Sequence, residues 1–411
     1  MDSQTKKKLQ GSKTFCMLPW VHLDLLQNGA VYPCCRAEQL EPYGNVEAQS
    51  IDQIWNSPKI KELRLQMLAR KKSAYCTDCY KIEECGGVSF RQIHNKSYGH
   101  EEAFDLVEST SDTGELKNSG PEFLGIRFSN LCNLKCRYCG PLYSTKWIED
   151  ATVLGYPQSE LKVVDQASKS GEILKFVESH IDSIKSLYFA GGEPLLESEH
   201  FELLELLDNK GKSDIQLTYN SNFSVLDFKG KSLTSIWSKF ENVRIDASID
   251  ACGAVNDYIR HGVRWETLQR NRLRLQSEAP HIVFRLFPTM SVFNIFSFTD
   301  FISDWMERGH IDPMHIHLNI LRTPEIYNVQ ILPSELKQKV KLRYTEFINQ
   351  VLLKKYTVEE SYFLIKQLKE LLAFMLQEDR STVFLEFLEE TKKLDSLRGE
   401  SFSECFPDLL I

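Results

Sequence analysis

Three cysteines near the middle of the chain have a spacing that could do chemistry. Cys132, Cys136 and Cys139 lie in the segment CNLKCRYC. Thiolates at this spacing can face one inorganic cluster, but the segment has no fourth cysteine to complete the ligand set. A [4Fe–4S] cluster held by three cysteines leaves one iron open to a small molecule. A structural zinc site and buried free cysteines are the alternatives.

A second cysteine group lies closer to the N-terminus. Its members are candidate metal ligands, namely Cys16, Cys34, Cys76, Cys79 and Cys85, with Cys35 as a competitor. The chain has 11 cysteines, an odd number, and its N-terminal sequence has no apolar core of the secretory type. We therefore expect metal ligation rather than disulfides, in a cytoplasmic protein.

The elements around the N-terminal cysteine group are predicted to be a hairpin and helices. The apolar residues Val21, Leu23 and Leu25 alternate with polar ones, and Asn28-Gly29 is a strong turn signal. A returning strand over 30–32 would bring Cys16 and Cys34 to the same end of the ribbon. Helical spacing follows Pro58.

The cysteine triplet is embedded in a regular alternation of strands and helices. Six apolar segments are predicted strands, namely FLGIRFS, SLYFAGG, IQLTYNS, VRIDASID, HIVFRLFPTM and MHIHLNIL. Amphipathic segments between them read as helices, which predicts βα units and a parallel sheet. Six strands are too few for an eight-unit barrel. His315 and His317 alternate on the last predicted strand and could face the same side as Arg285.

We expect four regions along the chain. Residues 1–107 form a small N-terminal domain, 108–121 a polar linker, 122–322 a partial barrel, and 323–411 a helical C-terminal region. Cys252 and Cys405 are isolated and read as buried apolar residues.

Composition restricts the partner classes. The chain of 411 residues has 49 Lys and Arg against 57 Asp and Glu, which gives a net charge of −8. This acidic balance argues against a nucleic acid partner. No apolar run approaches the roughly 18 residues of a membrane span.

The segment CNLKCRYC resembles the CxxxCxxC signature of the radical S-adenosylmethionine (SAM) superfamily. The resemblance implies an α/β fold, a partial (β/α)6 barrel. It also implies a [4Fe–4S] cluster whose open iron chelates SAM, held by Cys132, Cys136 and Cys139 as catalytic centre. A reduced cluster splits SAM in this family, and the resulting 5′-deoxyadenosyl radical abstracts a substrate hydrogen.

Further motifs continue the resemblance through the predicted barrel. Gly191, Gly192 and Glu193 match the family's GGEP element, which holds the SAM amino group; glycines permit close backbone approach and a carboxylate pairs with an ammonium. The remaining implied SAM contacts are Tyr138, Asn220, Asn222, Ser248, Asp250 and Arg260. For Tyr138 the alternative is core packing, and for Arg260 an ion pair.

The N-terminal segments CMLPW, DLLQNGAVYPCC and CTDCY resemble the SPASM/twitch auxiliary-cluster domain. In many relatives this domain follows the barrel, whereas here it precedes it. The chain has Ser89 where a full set has a cysteine, so we expect one auxiliary [4Fe–4S] cluster. Its leading ligands are Cys16, Cys34, Cys76 and Cys79, with Cys35 and Cys85 competing and zinc as the alternative metal.

The resemblance implies an oxidoreductase that modifies a peptide or protein, with the auxiliary cluster accepting an electron. An electron donor such as flavodoxin or ferredoxin is the implied partner. Oxidation or epimerisation of a small molecule such as a sugar alcohol is one alternative. A non-catalytic iron–sulfur or zinc scaffold that binds a peptide is another.

Overall fold

The structure, a computed structural model, describes residues 3–84, 86–98, 101–117 and 119–410. The strands are β1 His22–Leu25, β2 Ala30–Tyr32, β3 Gly44–Asn45, β4 Phe123–Arg127, β5 Ser186–Ala190, β6 Gln216–Ser221, β7 Asp227–Phe228, β8 Lys231–Ser232, β9 Asn242–Ala247, β10 Val283–Leu286, β11 Thr289–Met290 and β12 Asn319–Ile320.

The α-helices are α1 Ser3–Gln10, α2 Leu18–Val21, α3 Ile51–Trp55, α4 Pro58–Leu68, α5 Thr77–Glu84, α6 Phe90–Ser97, α7 Glu101–Glu108, α8 Trp147–Val153, α9 Gln166–Lys169, α10 Glu172–Ser179, α11 Ser198–Asn209, α12 Leu233–Trp237, α13 Gly253–Ile259, α14 Trp265–Glu278, α15 Phe298–Glu307, α16 Ser334–Phe347, α17 Leu353–Lys355, α18 Val358–Gln377, α19 Phe384–Arg398 and α20 Phe402–Cys405.

The chain divides into two compact units. The first contains residues up to 131, together with 163–218 and 239–242. The second contains 132–162, 219–238 and 243–411. The strands and helices alternate along the chain, as the α/β prediction requires. In the part of the chain that the structure describes, no helix is long and apolar enough to cross a membrane.

The first unit is built on a mixed sheet with β4 at its centre. Strand β4 pairs in parallel with β5 and with β1, and β1 pairs antiparallel with β2. The predicted N-terminal hairpin is therefore confirmed, and it shares a sheet with β4. Leu23, Leu124 and Leu187 lie side by side in the register and are fully buried, which places the core on that face.

The other face of β1 and β4 carries a buried ion pair. Arg127 Nη1 lies 2.8 Å from Asp24 Oδ2. Gly125, the register partner of Asp24, leaves room for this carboxylate, because a Cβ there would lie 2.3 Å from Asp24 Oδ1. A side chain at position 125 would displace the acid and break the pair.

Arg64 on α4 connects several segments of the first unit through hydrogen bonds. Its guanidinium is fully buried and donates to the carbonyls of Pro19, Trp55 and Gly114 and to Asn56 Oδ1. The group also stacks 4.5 Å from the centre of the Trp55 ring. The stretch after α7, which the sequence indicates as a linker, is thus held against α3 and α4.

The second unit contains parallel strand pairs joined by helices. Strand β9 pairs in parallel with β10, and α13 and α14 lie between them in sequence. This is the βαβ connection that the sequence predicts. The ring of Trp265 on α14 packs 5.4 Å from that of Trp305 on α15. Both side chains are buried and form the helical side of the core.

The last predicted strand, MHIHLNIL, is largely wrong. Pro313 begins a 3-10 turn, Pro313–His315, in which His315 N donates to Asp312 O at 2.9 Å. Proline sets φ for such a turn and has no N–H for a strand ladder. Only Ile316 bridges Leu286, and β12 makes a short parallel pair with β11.

Helices dominate after residue 333, as predicted. Helix α16 continues through a π-helical segment, Ile348–Leu352, and α18 begins with a capping box between Thr357 and Glu360. Helix α19 ends at Gly399, whose φ of 65° lies in the left-handed region. This glycine turns the chain so that Glu400 N donates to Asp395 O at 3.1 Å.

Candidate functional site

The first unit brings together four of the predicted N-terminal ligands. Burial, and then the neighbouring thiols of Cys76 and Cys79, raise the pKa of Cys16. Burial, and then the thiols of Cys35, Cys16 and Cys76, raise the pKa of Cys34. These mutual effects mean that the four thiols share one neighbourhood. Because a thiol must lose its proton to ligate a metal, loading this site with iron would release protons.

The two competing cysteines differ from these four. Cys35 is exposed, and the charges of the ion-paired Asp24 and Arg127 act on its thiol. It also has the largest effect of any thiol on the pKa of Cys34, so it borders both the cysteine group and the polar side of β1. Cys85 lies outside the described residues.

Side chains of α5 and α6 hold the backbone on both sides of Cys16. Asn95 Oδ1 accepts from Met17 N at 2.8 Å, and Asn95 Nδ2 donates to Phe15 O at 2.9 Å. Arg91 Nη1 donates to Phe15 O at 2.6 Å, while Glu83 holds the same guanidinium through two hydrogen bonds. These residues fix the direction of Cys16, and its sequence neighbourhood contains no signal for them.

A cavity of about 840 Å³ opens beside this cysteine group. Its lining combines aromatic and apolar side chains with four basic and two acidic ones. The apolar part includes Phe15, Met17 and Phe104. Phe15 and Met17 are also the residues that flank Cys16, so the cavity adjoins the cysteine site within the same unit.

The buried Tyr43 hydroxyl bears on whether the N-terminal cysteine group could hold an iron–sulfur cluster. Tyr43 is 3% exposed, and its hydroxyl has no hydrogen-bond partner among the described residues. Burial and then the thiol charges of Cys76 and Cys34 raise the Tyr43 pKa. A buried donor beside these thiols suits the sulfur atoms of a cluster, which accept hydrogen bonds. The residues therefore fit the group.

The second unit contains the cysteine triplet. Cys132 and Cys136 are buried and Cys139 is partly exposed. Burial, and then the charges of Cys136 and Cys132, raise the pKa of Cys139, so the three thiols act on one another. Leu134 N donates to Cys132 Sγ at 3.5 Å, and Asn222 Nδ2 lies 3.8 Å from the same sulfur. The donor set of three thiols, with no other ligand in the segment, suits an open four-iron cluster.

A buried charged group lies next to the triplet. Asp250 accepts two hydrogen bonds from Arg260, at 2.9 and 3.0 Å, and one from the Tyr138 hydroxyl at 2.5 Å. Arg260 Nη1 lies 3.9 Å from Cys136 Sγ. Both members of the ion pair are nearly inaccessible to solvent, at 6% and 0%. Arg260 is thus engaged by Asp250 and reaches the cysteine loop with its remaining nitrogen.

Polar side chains continue along the same face of β9. Ser248 Oγ donates to Asn220 Oδ1 at 3.0 Å. Two residues earlier, on the same face of the strand, Asp246 accepts two hydrogen bonds from Arg285. Arg285 Nη1 also lies 3.3 Å from His317 Nε2. Burial and then Arg285 lower the pKa of His317 to about 3, so this ring is neutral.

The two histidines of the last predicted strand have separate surroundings. His315 lies in the 3-10 turn, 3.9 Å from Asp312 Oδ2 and partly exposed. His317 stacks on Phe287 at 5.4 Å between ring centres. Only His317 contacts Arg285.

Gly191, Gly192 and Glu193 belong to the first unit, where they follow β5. Gly191 has a φ of 116°, and a Cβ on Gly192 would lie 2.2 Å from Leu131 O. Gly192 N donates to Ser129 O at 3.1 Å, and Glu193 N donates to Leu131 O at 2.7 Å. The two glycines are therefore required for the close approach to the backbone that leads into the cysteine triplet.

A buried carboxyl group lies behind this loop. Ser129 Oγ donates to Glu197, which is 7% exposed. Burial raises the pKa of Glu197 to about 7. The sequence analysis missed this residue, although its position three residues after the proline of GGEP is a signal that could have indicated it.

The sequence analysis also missed the residues that hold the cysteine loop in the second unit. Trp147 Nε1 donates to Cys136 O at 2.8 Å. Arg137, inside the triplet, is completely buried and forms ion pairs with Asp395 and Glu400. Arg137 could have been predicted to matter because it lies between two cysteines of the triplet. Its partners Asp395 and Glu400 could not, because nothing in the helical C-terminal sequence indicates them.

Across residues 3–84, 86–98, 101–117 and 119–410, no three His, Cys, Asp or Glu side chains are arranged to hold a single metal ion. A four-iron cluster differs from a single ion because each cysteine binds a different iron atom.

The comparisons with known proteins concern parts of the chain. Residues 16–80 match SPASM, an iron–sulfur cluster-binding domain. A GTP 3′,8-cyclase of Campylobacter lari is 26% identical over 126 residues, 30% of this chain and 34% of that protein. A 7-carboxy-7-deazaguanine synthase of Clostridium acetobutylicum is 30% identical over 126 residues, 30% of this chain and 49% of that protein. The chain thus spans about a third to a half of the length of these relatives.

Solved structures show partial overlap. One is described as native anSMEcpe with bound AdoMet, at 18% identity and a TM-score of 0.38, covering 56% of this chain and 62% of that one. Another is Streptococcus suis SuiB bound to S-adenosylmethionine, at 16% identity and a TM-score of 0.39, covering 71% and 63%.

The SPASM match falls on the segment that contains Cys16, Cys34, Cys76 and Cys79, and the CNLKCRYC and GGEP segments follow strands of an α/β fold. On these findings, residues 16–80 are similar to a SPASM iron–sulfur cluster-binding domain, and about 30% of the chain is similar to the cyclase and the synthase named above.

Proposed function

We propose that this chain is an enzyme that cleaves SAM at an open [4Fe–4S] cluster and oxidises a peptide or protein substrate. The observation that carries the proposal is the triplet Cys132, Cys136 and Cys139. Its thiols act on one another and have no fourth cysteine in their segment. A site with three ligands serves catalysis, because its open iron can bind a small molecule; a purely structural site has no use for it.

We assign each residue near the triplet and in the GGEP loop a role that fits its contacts. Cys132, Cys136 and Cys139 would hold the cluster, which would supply the electron for SAM cleavage and so allow one hydrogen atom to be taken from the substrate. Gly191 and Gly192 let their loop pack against the backbone of residues 129–131, and Glu193 would supply the carboxylate for the SAM amino group. Asn220, Asn222 and Ser248 orient the ribose. Asp250 keeps Arg260 and Tyr138 fixed beside the triplet.

The N-terminal cysteines are proposed to hold an auxiliary [4Fe–4S] cluster as electron acceptor. After the substrate has lost a hydrogen atom and a proton, one more electron must leave it to complete a two-electron oxidation. The auxiliary cluster would accept that electron. Cys16, Cys34, Cys76 and Cys79 are the proposed ligands. Asn95 and Arg91 would keep Cys16 in place, and the Tyr43 hydroxyl would donate to a cluster sulfur. A small redox protein such as flavodoxin or ferredoxin is the proposed donor.

A peptide or protein is the proposed substrate class because members of the superfamily with such auxiliary domains frequently modify them. The cavity beside Cys16 supports this choice. Its volume of about 840 Å³ and its mixture of aromatic, basic and acidic side chains suit a peptide segment better than a small sugar alcohol. The GTP 3′,8-cyclase among the relatives has a nucleotide in its name, so nucleotides are the competing substrate class to test.

The first experiment counts metal and SAM cleavage together. The full chain is reconstituted without oxygen, and iron, sulfide and zinc are measured per chain. About eight irons are expected in the wild type, and about four in the variant with Ala at 132, 136 and 139. With dithionite and SAM, only the wild type should release 5′-deoxyadenosine. Cys252→Ala is the matched control, because Cys252 is an isolated cysteine of the same unit, and it should behave as the wild type.

Three outcomes would overturn parts of the proposal. Four irons plus one zinc would make the N-terminal site structural and would remove the auxiliary electron acceptor. Normal iron without 5′-deoxyadenosine would favour a non-catalytic scaffold. Hydrogen transfer from a nucleotide or a sugar alcohol, but from no peptide, would replace the substrate class.

A further inference from the structure

A buried arginine lies between two ligands of the catalytic triplet and is tied to the far end of the chain. The Arg137 side chain is 0% exposed, and its Nη2 forms ion pairs with Asp395 of α19 and with Glu400. These acids lie 258 and 263 residues away in sequence. Gly399 adopts a left-handed conformation that turns the chain and brings Glu400 back towards Asp395. Both carboxylates can therefore pair with the same Arg137 nitrogen.

Residues at the end of α13 complete the surroundings of Arg137. Its guanidinium stacks 3.5 Å from the centre of the Tyr258 ring, and the Tyr258 hydroxyl donates to Asp395 Oδ1 at 2.7 Å. His261 Nδ1 lies 2.7 Å from Glu400 Oε1. The loop backbone is held by the same segment, because Arg137 N donates to Ile259 O at 2.8 Å.

The residue on the other side of Cys136 is tied to the same helix. Lys135 Nζ lies 2.7 Å from Asp150 Oδ1, and Arg398 Nε donates to Asp150 Oδ2 at 2.8 Å. The Arg398 guanidinium stacks 4.8 Å from the centre of the Trp147 ring, and Trp147 donates to the carbonyl of Cys136. Both neighbours of Cys136 are therefore connected to residues 395–400.

The charge of Arg137 depends on the two acids. Its Nε and Nη1 have no hydrogen-bond partner among the described residues, so the ion pairs at Nη2 supply its compensation together with the Tyr258 ring. A charge in a buried site acts strongly on its neighbours because screening by water is weak. Arg137 lies between Cys136 and Cys139 in the chain, so a change in this balance alters the charge of the segment that joins these two cysteines.

We propose that Asp395 and Glu400 are positioning residues that hold the cysteine loop through Arg137 and set the reduction potential of the cluster bound there. This inference rests on the proposed function, since it requires a cluster at the triplet. It assigns the helical C-terminal region a role in the chemistry, through the electrostatics of the loop.

The test uses charge changes of opposite sign in the reconstituted full chain. The reduction potential of the SAM-responsive cluster is measured by redox titration with electron paramagnetic resonance. The double variant D395N/E400Q leaves Arg137 uncompensated, which favours the added electron and should raise the potential. Arg137→Gln leaves two acids uncompensated and should lower it. The triple variant R137Q/D395N/E400Q should return towards the wild type.

Controls separate this effect from general loosening of the structure. Asp300→Asn removes the exposed pair between Arg343 and Asp300 of the same unit and should leave the potential unchanged. If the double variant does not fold, E400Q alone carries the same expected sign. Shifts of the same sign in R137Q and in the acid variants, or no shift, would overturn the proposal. A wild type without a SAM-responsive cluster would instead refute the proposed function.

Discussion

Cys132, Cys136 and Cys139 lie within eight residues of one loop, whereas the four N-terminal cysteines are spread over residues 16–79. The loop brings three thiols close together along the chain, and Trp147, Asp395 and Glu400 hold it in place. The N-terminal group needs the β1–β2 hairpin, α5, and the contacts of Asn95 and Arg91 with the backbone around Cys16. The spacing of the triplet is therefore local, whereas the N-terminal group depends on the fold of the first unit to bring its cysteines together at all.

The two cysteine sites also differ in the charged side chains that surround them. The triplet is surrounded by buried ion pairs, Asp250 with Arg260 and Arg137 with two acids. In the described part of the N-terminal group, Arg91 pairs with Glu83 beside Cys16, Asp24 pairs with Arg127 beside Cys35, and the buried Tyr43 hydroxyl lies near Cys76 and Cys34. We expect the electrostatics of the triplet to be the more sensitive to substitution.

Single cysteine variants should separate the two sites most strongly. Cys136→Ala should reduce 5′-deoxyadenosine release to background, because the open cluster is lost, while about four irons remain at the N-terminal site. Cys16→Ala should keep SAM cleavage but lose substrate oxidation, because the auxiliary electron acceptor is gone. Iron analysis and product chromatography measure both. Loss of SAM cleavage in Cys16→Ala would show that the sites are not separable.

Gly192→Ala should weaken SAM binding about tenfold, the result of losing roughly 1.4 kcal/mol of contact energy. Its Cβ would lie 2.2 Å from Leu131 O, so the loop must move. Gly140→Ala is the control beside the triplet, because no atom lies within 4 Å of the Cβ position. Equilibrium dialysis with labelled SAM measures both variants. Equal affinities would contradict the role of the glycine loop.

Arg64→Met should destabilise the first unit by about 3 kcal/mol, because buried carbonyl acceptors lose their donor. The hydrogen bonds to Pro19 O, Trp55 O and Gly114 O are all lost. Iron at the N-terminal site should fall while the triplet keeps its iron. Urea unfolding and iron analysis provide the measurement, with exposed Lys71→Met as control. Equal loss of iron from both sites would contradict an effect confined to the first unit.

Glu197→Gln should have the smallest effect, and its sign depends on pH. The pKa of Glu197 is raised from 4.5 to about 7 in the folded chain, so the folded state binds more protons than the unfolded state between these values. Wild-type stability should therefore fall as pH rises through this window, by about 2 kcal/mol. The glutamine variant should lack this fall. Thermal unfolding at pH 5 and pH 8 measures the difference, and parallel pH profiles would contradict it.

The alternation of apolar segments was sufficient to predict the α/β fold, because strand and helix periodicities are local properties of the chain. The hairpin around Asn28-Gly29 was predicted for the same reason, and its pairing of Asp24 with Tyr32 confirms it. The strand after Pro313 was wrong because proline chemistry overrode an alternating apolar pattern. The close spacing in CNLKCRYC likewise allowed three candidate ligands to be proposed without any knowledge of the fold.

The sequence by itself determined the cysteine motifs, the glycine loop and the order of strands and helices, since each depends on neighbours along the chain. Only the tertiary structure decided which distant residues hold the cysteine motifs in place. Arg137 meets Asp395 and Glu400 across more than 250 residues, and Asn95 meets the backbone around Cys16 across 78. Such pairings leave no periodic trace in the sequence, because a single buried charge or amide is satisfied by whichever partner the packing of the elements brings within reach.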